Sequence, residues 1–214
     1  MSKTRLTGER WVASDEKRAL DILLASSLIP AAAPIGGLAL AASRMMDGSN
    51  PLVYQQRIGR GLEPFLIRKI RSMEPIEPSR EIHRTDSELT KLGRLIRPLA
   101  IDEIPQLYNM IEGSMSMFGP RAYPQETMDG MEAHLPRDIY EEWLYVYMTS
   151  RPGGLSSYNI RARAVIDLEN TAKLKALLDI ADFNNASLSY DTKLLRSAAL
   201  MGLSVIKNKL KQSI

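Results

Sequence analysis

ILLASSLIPAAAPIGGLALAAS, residues 22–43, contains no ionisable side chain, while Lys17 and Arg18 stand before it and Arg44 follows directly. As a straight helix these residues reach about 33 Å, enough to cross a hydrocarbon core of about 30 Å. Pro30 and Pro34 interrupt the middle, and Gly36 and Gly37 follow them. Each proline removes a backbone donor and crowds the preceding turn, so a bend is expected there. Basic residues on both flanks remove the charge asymmetry that orients a span. The expected form is a re-entrant helix that enters a bilayer, breaks at Pro34 and returns to the same face. A bitopic span and a buried core helix are the alternatives, and labelling of both flanks separates them.

Working outward, residues 1–46 form an N-terminal segment with this helix, and residues 47–214 form a compact domain on the cytoplasmic side. The expected fold class is α+β, mainly helical, with amphipathic interfacial helices and a small β element. The first 14 residues lack the small-residue cleavage site of a secretory signal, so the N-terminus is expected to stay cytoplasmic. Across 214 residues, 28 basic side chains face 25 acidic ones, a net charge of +3 that is far from the basic surface nucleic acid requires. The absence of cysteine excludes disulfides, thiolate zinc sites and cysteine nucleophiles, and leaves oxygen ligands and a hard cation such as Mg2+.

Leu52–Gln56 and Pro64–Ile70 read as two short strands joined by a turn at Gly59–Gly61. Glu74–Asp86 is rich in proline and charge and reads as a surface loop. Helices are predicted at Ser87–Ile96, from Leu89, Leu92 and Ile96, and at Ile104–Ile111. Arg137–Thr149 carries Ile139, Trp143 and Val146 at helical spacing with Tyr140, Tyr145 and Tyr147 around them, which suits a headgroup region or a protein core. Leu194–Ile206 is helical in pattern and ends in Lys207, Lys209 and Lys211, suited to anionic headgroups or to a solvated tail. Exposed apolar faces are compatible with a homodimer.

Between Arg57 and Arg97 stand ten basic residues against six acidic ones. Next comes RPLAIDEIPQLYNMIEGSMSMFGPR, residues 97–121, where Asp102 and Glu103 lie in an apolar frame bracketed by Arg97 and Arg121. Adjacent acids in such a frame need a cation or arginine to offset them. Guanidinium groups match phosphate oxygens, so phosphoryl chemistry with a divalent ion fits this pattern. Alone, an Asp-Glu pair is more often a helix N-terminal feature without chemistry. The candidate phosphate-binding residues are Lys69, Arg71, Arg97, Arg121 and Arg151, with Asp102 the candidate metal ligand.

KRALDILLASSLIPAAAP, KIRSM (69–73), LGRLIRPLAIDEIPQLYNMI, GSMSMFGPR, RPGGL from Arg151, and the spaced Asp179 and Asp191 occur in one order. Over roughly residues 17–200 this series resembles the bacterial sugar transferases, the monotopic polyprenyl-phosphate phosphoglycosyl transferases. The resemblance implies that Asp102 attacks a nucleotide sugar, that Glu103 assists, and that Pro34 breaks the membrane helix. It further implies transfer of a sugar 1-phosphate from a nucleotide sugar, UDP-linked by expectation, to undecaprenyl or a related polyprenyl phosphate. The implied location is the cytoplasmic face of the bacterial inner membrane, among membrane lipid, with exopolysaccharide or lipopolysaccharide synthesis as the setting. Ala33, Ser114, Ala122 and Gly154 depart from the family's usual residues. A catalytically degenerate, membrane-bound scaffold is therefore the alternative function, and a soluble regulatory domain with a buried helix is a third.

Overall fold

The computed structural model describes residues 3–74, 89–161 and 168–212. Its elements are α1 (Lys3–Val12), α2 (Asp15–Asp47), β1 (Leu52–Ile58), β2 (Pro64–Ile70), α3 (Lys91–Ile96), α4 (Gln106–Glu112), β3 (Ser116–Phe118), α5 (Gln125–His134), α6 (Arg137–Thr149), β4 (Gly153–Leu155), α7 (Ser157–Arg161), α8 (Leu168–Asn184) and α9 (Leu188–Gln212). This is the expected mainly helical fold with a small β component.

The Ser14 side chain caps α2 by accepting from the Lys17 N–H at 3.1 Å, and Asp15 and Glu16 complement the first turn. Gly48 closes it at φ 66°, returning its N–H to the Arg44 carbonyl. Between these caps α2 runs as one helix through Pro30 and Pro34, so the break expected at Pro34 does not divide it in two. Each proline removes a single donor from a helix of 33 residues, and Ala31, Ala32 and Ala33 between them are strong helix formers. By length and composition this helix can cross a membrane.

The two strands of the sequence reading form an antiparallel hairpin, from Leu52 opposite Ile70 to Ile58 opposite Pro64. Gly61 (φ 71°) and Leu62 (φ 63°) turn the chain at its tip. The predicted helix at Ser87–Ile96 is shorter in the structure, beginning at Lys91 after a Thr90 cap. Most of the predicted Glu74–Asp86 loop lies outside the described residues, as do Arg80 and Arg84. β3 and β4 make a short parallel pair, Ser116 beside Gly153 and Phe118 beside Leu155.

Among the described residues, three apolar cores hold these elements. In the first, Trp143, Val146 and Tyr147 of α6 are buried against Tyr123, Ile180 and Phe183, with the Trp143 and Tyr147 rings 4.7 Å apart. The aromatic face of α6 is thus turned into the protein, which decides between the headgroup region and the protein core in favour of the core. A polar group explains the direction: Trp143 Nε1 and Tyr147 OH both donate to the buried Asp179 at 3.0 Å, which satisfies them inside. The second core joins Ala25 of α2 to Ile67, Met110, Met115, Met117, Phe118 and Leu194. The third joins Ala39 of α2 to Ile70, Leu92 and Ile96.

α2 therefore docks on the same domain at two places, around Ala25 and around Ala39. Between them Ser26–Ile35 stands almost wholly exposed. The first attachment is also polar. Lys17 Nζ lies 2.6 Å from Asp21 Oδ1 and 3.3 Å from Asp191 Oδ2, all three buried. Asp21 also accepts from Ser116 Oγ at 2.8 Å and from the Met117 N–H at 3.0 Å, tying the helix to β3. Arg18 donates to the Met110 and Ile111 carbonyls, both at 2.6 Å, where a cation meets the negative end of α4.

Candidate active site

The segment Arg97–Pro105 is folded by two tight 3-10 turns, Arg97–Leu99 and Ile101–Glu103, hinged at Ala100. Ala100 adopts φ 54°, ψ 25°, a left-handed conformation uncommon for a residue with a Cβ. Pro98 opens the first turn and Pro105 precedes α4, so Asp102 sits on a short, conformationally restricted platform.

Asp102 is buried, and Ser72 Oγ donates to its Oδ2 at 3.3 Å. Its Oδ1 is also buried and has no hydrogen-bond partner among the described residues. Such an atom is costly unless something outside the protein completes it. Glu103 is half-buried and its Oε1 lies 3.0 Å from Lys69 Nζ. The Asp102 carboxyl is pushed above the ordinary range, first by burial and then by the Glu103 charge, against the opposing pull of Lys69, Arg97 and the Ser72 hydroxyl.

Neighbouring elements fix this arrangement. Gly93 of α3 packs on the Ser72 backbone so closely that a Cβ there would stand 1.9 Å from the Ser72 carbonyl oxygen. The Thr90 N–H also donates to that carbonyl, at 3.2 Å. Gly36 of α2 lies against Ile104, where an added Cβ would be 3.1 Å from Cγ2. The acid pair is accordingly next to the apolar helix, just past its exposed middle.

Of the expected phosphate-binding residues, Lys69 and Arg97 are brought to the acid pair. Arg71 lies at the base of the hairpin, its Nε donating to the Asn50 carbonyl at 3.0 Å. Arg121 lies over the Tyr158 ring, 5.6 Å from its centroid. Its backbone N–H donates to Asp179 at 3.3 Å, and its carbonyl accepts from Tyr147 OH at 2.7 Å. Arg151 lines a separate cleft with Arg60. Ser114, one of the departures, closes the turn after α4 by donating to Glu112 at 2.8 Å.

The sequence reading missed three residues. Ser72 stands inside the quoted KIRSM motif, which was the available signal, but its reach to Asp102 depends on β2 lying beside the platform. Asn109 joins β2 to α4, donating to the Leu66 carbonyl at 2.8 Å and accepting from the Arg68 N–H at 3.1 Å. Lys175, half-buried one helical turn before Asp179, lies 5.7 Å from the Tyr158 ring and 5.8 Å from that of Tyr123.

Fold and site together define a mainly helical α+β protein that sets a buried carboxylate among cations beside an apolar helix. The chain belongs to the bacterial sugar transferase family, whose model matches residues 12–204. It is 33% identical over 180 residues to the undecaprenyl-phosphate glucose phosphotransferase of Komagataeibacter xylinus, a match covering 77% of this chain and 34% of that protein. It is 37% identical over 123 residues to the UDP-glucose:undecaprenyl-phosphate glucose-1-phosphate transferase of Caulobacter vibrioides, covering 56% and 46% respectively. The chain therefore spans less than half the length of these two relatives. With the uncharacterized sugar transferase EpsL of Bacillus subtilis it shares 33% identity over 180 residues, 84% of this chain and 83% of that one.

Proposed function

We propose that this protein transfers a sugar 1-phosphate from a nucleotide sugar to a polyprenyl phosphate, with Asp102 as nucleophile. The observation that carries the reading is the buried Asp102 carboxylate, with one oxygen held by Ser72 and the other without a hydrogen-bond partner among the described residues, in the field of Lys69 and Arg97. An Asp102 oxygen attacks the phosphorus bonded to the sugar. The bond from that phosphorus to the bridging oxygen breaks, and the nucleoside monophosphate leaves with its electrons. The resulting phosphosugar aspartyl enzyme is then attacked by a phosphate oxygen of the lipid, which releases Asp102 and forms the lipid-linked sugar diphosphate. Lys69 and Arg97 offset the charge of the phosphates, and Lys69 also holds Glu103 in place. The names of the Komagataeibacter and Caulobacter relatives support undecaprenyl phosphate as acceptor and a UDP-linked donor.

Magnesium fits this donor set. No group of three or more ligating side chains occurs among the described residues, but Mg2+ characteristically uses one or two carboxylates together with substrate phosphates and water. Asp102 and Glu103 would hold it, and it would supply charge neutralisation at the departing phosphate.

The proposed location rests on α2. Residues near Ala25 and near Ala39 both pack on one domain while Ser26–Ile35 is exposed, which favours a helix that dips into one leaflet over one that passes through. The exposed stretch is about 15 Å long, roughly half a hydrocarbon core. The cytoplasmic face of a bacterial membrane is the corresponding site, where a lipid phosphate meets the acid pair at headgroup depth.

The test is incubation of the purified protein with radiolabelled UDP-sugars before any lipid is added. Wild-type protein should acquire label and release UMP, and Asp102→Asn should do neither. UMP release that depends on lipid, with no adduct trapped at any time, would replace the two-step route by direct transfer. Absence of nucleoside monophosphate release across a panel of nucleotide sugars would overturn the enzyme reading in favour of a scaffold.

A further inference from the structure

Beyond the acid pair, a cleft of about 350 Å³ opens between the hairpin tip, the turn after α4 and the end of α6. Arg60, Glu63, Phe65, Ser114, Met148 and Arg151 line it. Arg151 is half-buried, and no carboxylate pairs with it or with Arg60 among the described residues. Arg18 flanks the same place, one of its guanidinium nitrogens standing 3.3 Å from where a Cβ would lie at Gly113, a lining residue. Burial and the charges of Arg60 and Arg18 all disfavour a protonated Arg151, with Asp21 giving partial relief. Three guanidinium groups against the one lining carboxylate of Glu63 leave a positive excess that an anion would relieve.

Two features say what kind of anion. Arg18 is four residues before Ile22, where the uncharged run of α2 begins, so the cleft lies at the level of the headgroups if α2 is in the bilayer. The wall includes the apolar side chains of Phe65 and a half-exposed Met148 beside the cations. A ligand with a phosphate and an apolar chain matches both. α4 separates the cleft, at Gly113, from the acid pair, at its other end, by about 10 Å or more. A phosphate held in the cleft is therefore away from the reacting atoms.

We propose that this cleft binds the phosphate headgroup of an anionic phospholipid and so seats the domain on the membrane surface. The inference rests on the membrane reading of α2. Failure of that reading would appear separately, as a protein that stays in solution without detergent.

The experiment uses the full chain in detergent, titrated with dioleoylphosphatidylglycerol or dioleoylphosphatidylcholine and examined by native mass spectrometry. Wild-type protein should retain phosphatidylglycerol about tenfold more than phosphatidylcholine. Arg60→Gln with Arg151→Gln should bring the two to equality, while Arg137→Gln, on an exposed residue away from the cleft, should change nothing. Arg60 is exposed on a turn, so Arg60→Glu alone tests the site without loss of fold and should lower retention several-fold. Unchanged retention in Arg60→Glu and in the double variant would overturn the proposal. Displacement of the lipid by UMP would overturn it too, assigning the cleft to the nucleotide.

Discussion

The two oxygens of Asp102 have unlike surroundings, one facing a serine hydroxyl and one without a partner among the described residues. That asymmetry predicts unequal effects from its neighbours. Lys69→Met should lower turnover roughly 100–1,000-fold, as expected for loss of one preorganised group, because the ion pair with Glu103 is lost and the proposed phosphate site loses a charge. Ser72→Ala removes a single neutral donor and should cost less, within about tenfold; steady-state UMP release measures both. The acid pair stood out in the sequence through the ordered series of motifs around it, since an Asp-Glu pair alone is more often a helix N-terminal feature without chemistry. Ser72 was not, since a serine at the end of a strand has no distinctive signature. Which arginines share the site was equally hidden. Arg97 and Arg121 bracket the pair in sequence, but Arg97 acts on Asp102 and Arg121 lies over Tyr158, because the bridge of Arg121 to Gly153 carries it to α7 and α8.

The hairpin and α6 appear where period and turn residues put them, with boundaries shifted by at most two residues at any end. What the pattern of α6 left open was its partner, since an aromatic stripe suits a headgroup region and a protein core equally. The buried Asp179, 36 residues from Trp143, decided in favour of the core. In α2 the prolines were legible as local disturbances, but the hydrogen bonds of the other residues carry the helix past them. Two substitutions test how elements support the site. Gly93→Ala places a methyl group against the Ser72 carbonyl and must push α3 away from β2. A loss of about 1–3 kcal/mol in stability is expected from such overpacking, with a fall in turnover, read by thermal unfolding and UMP release. Asp21→Asn leaves the buried Lys17 with Asp191 alone and weakens the tie to Ser116 and Met117. Breaking a buried pair typically costs about 3–5 kcal/mol, which should appear as a clear drop in melting temperature in detergent.

At the level of the whole molecule, stability should depend on pH through Asp179, which is fully buried and pushed up to about 7, chiefly by desolvation. The hydrogen bonds from Trp143, Tyr147 and the Arg121 N–H oppose the shift without cancelling it. An unfolded aspartate has released its proton by about pH 4. Between there and pH 7 the folded protein keeps a proton that the unfolded chain has lost, so this contribution is complete at the acid end and fades as pH rises through 7. The melting temperature of wild-type protein should fall between pH 5 and pH 8, with a slope of at most about 1.4 kcal/mol per pH unit from this group. Asp179→Asn should flatten that slope; an equally steep slope in the variant would assign the dependence to other groups.

The double attachment of α2 bears on engineering. Lys17, Asp21, Ala25, Gly36 and Ala39 make the helix a structural wall of the domain. A fragment cut at residue 47 would lack that wall, with Ile67 and Ile70 uncovered and Asp191 deprived of Lys17, and should precipitate when expressed alone. A chimaera with an unrelated hydrophobic segment of equal length should fare no better, while one that grafts those five residues at their original spacing should recover a folded protein.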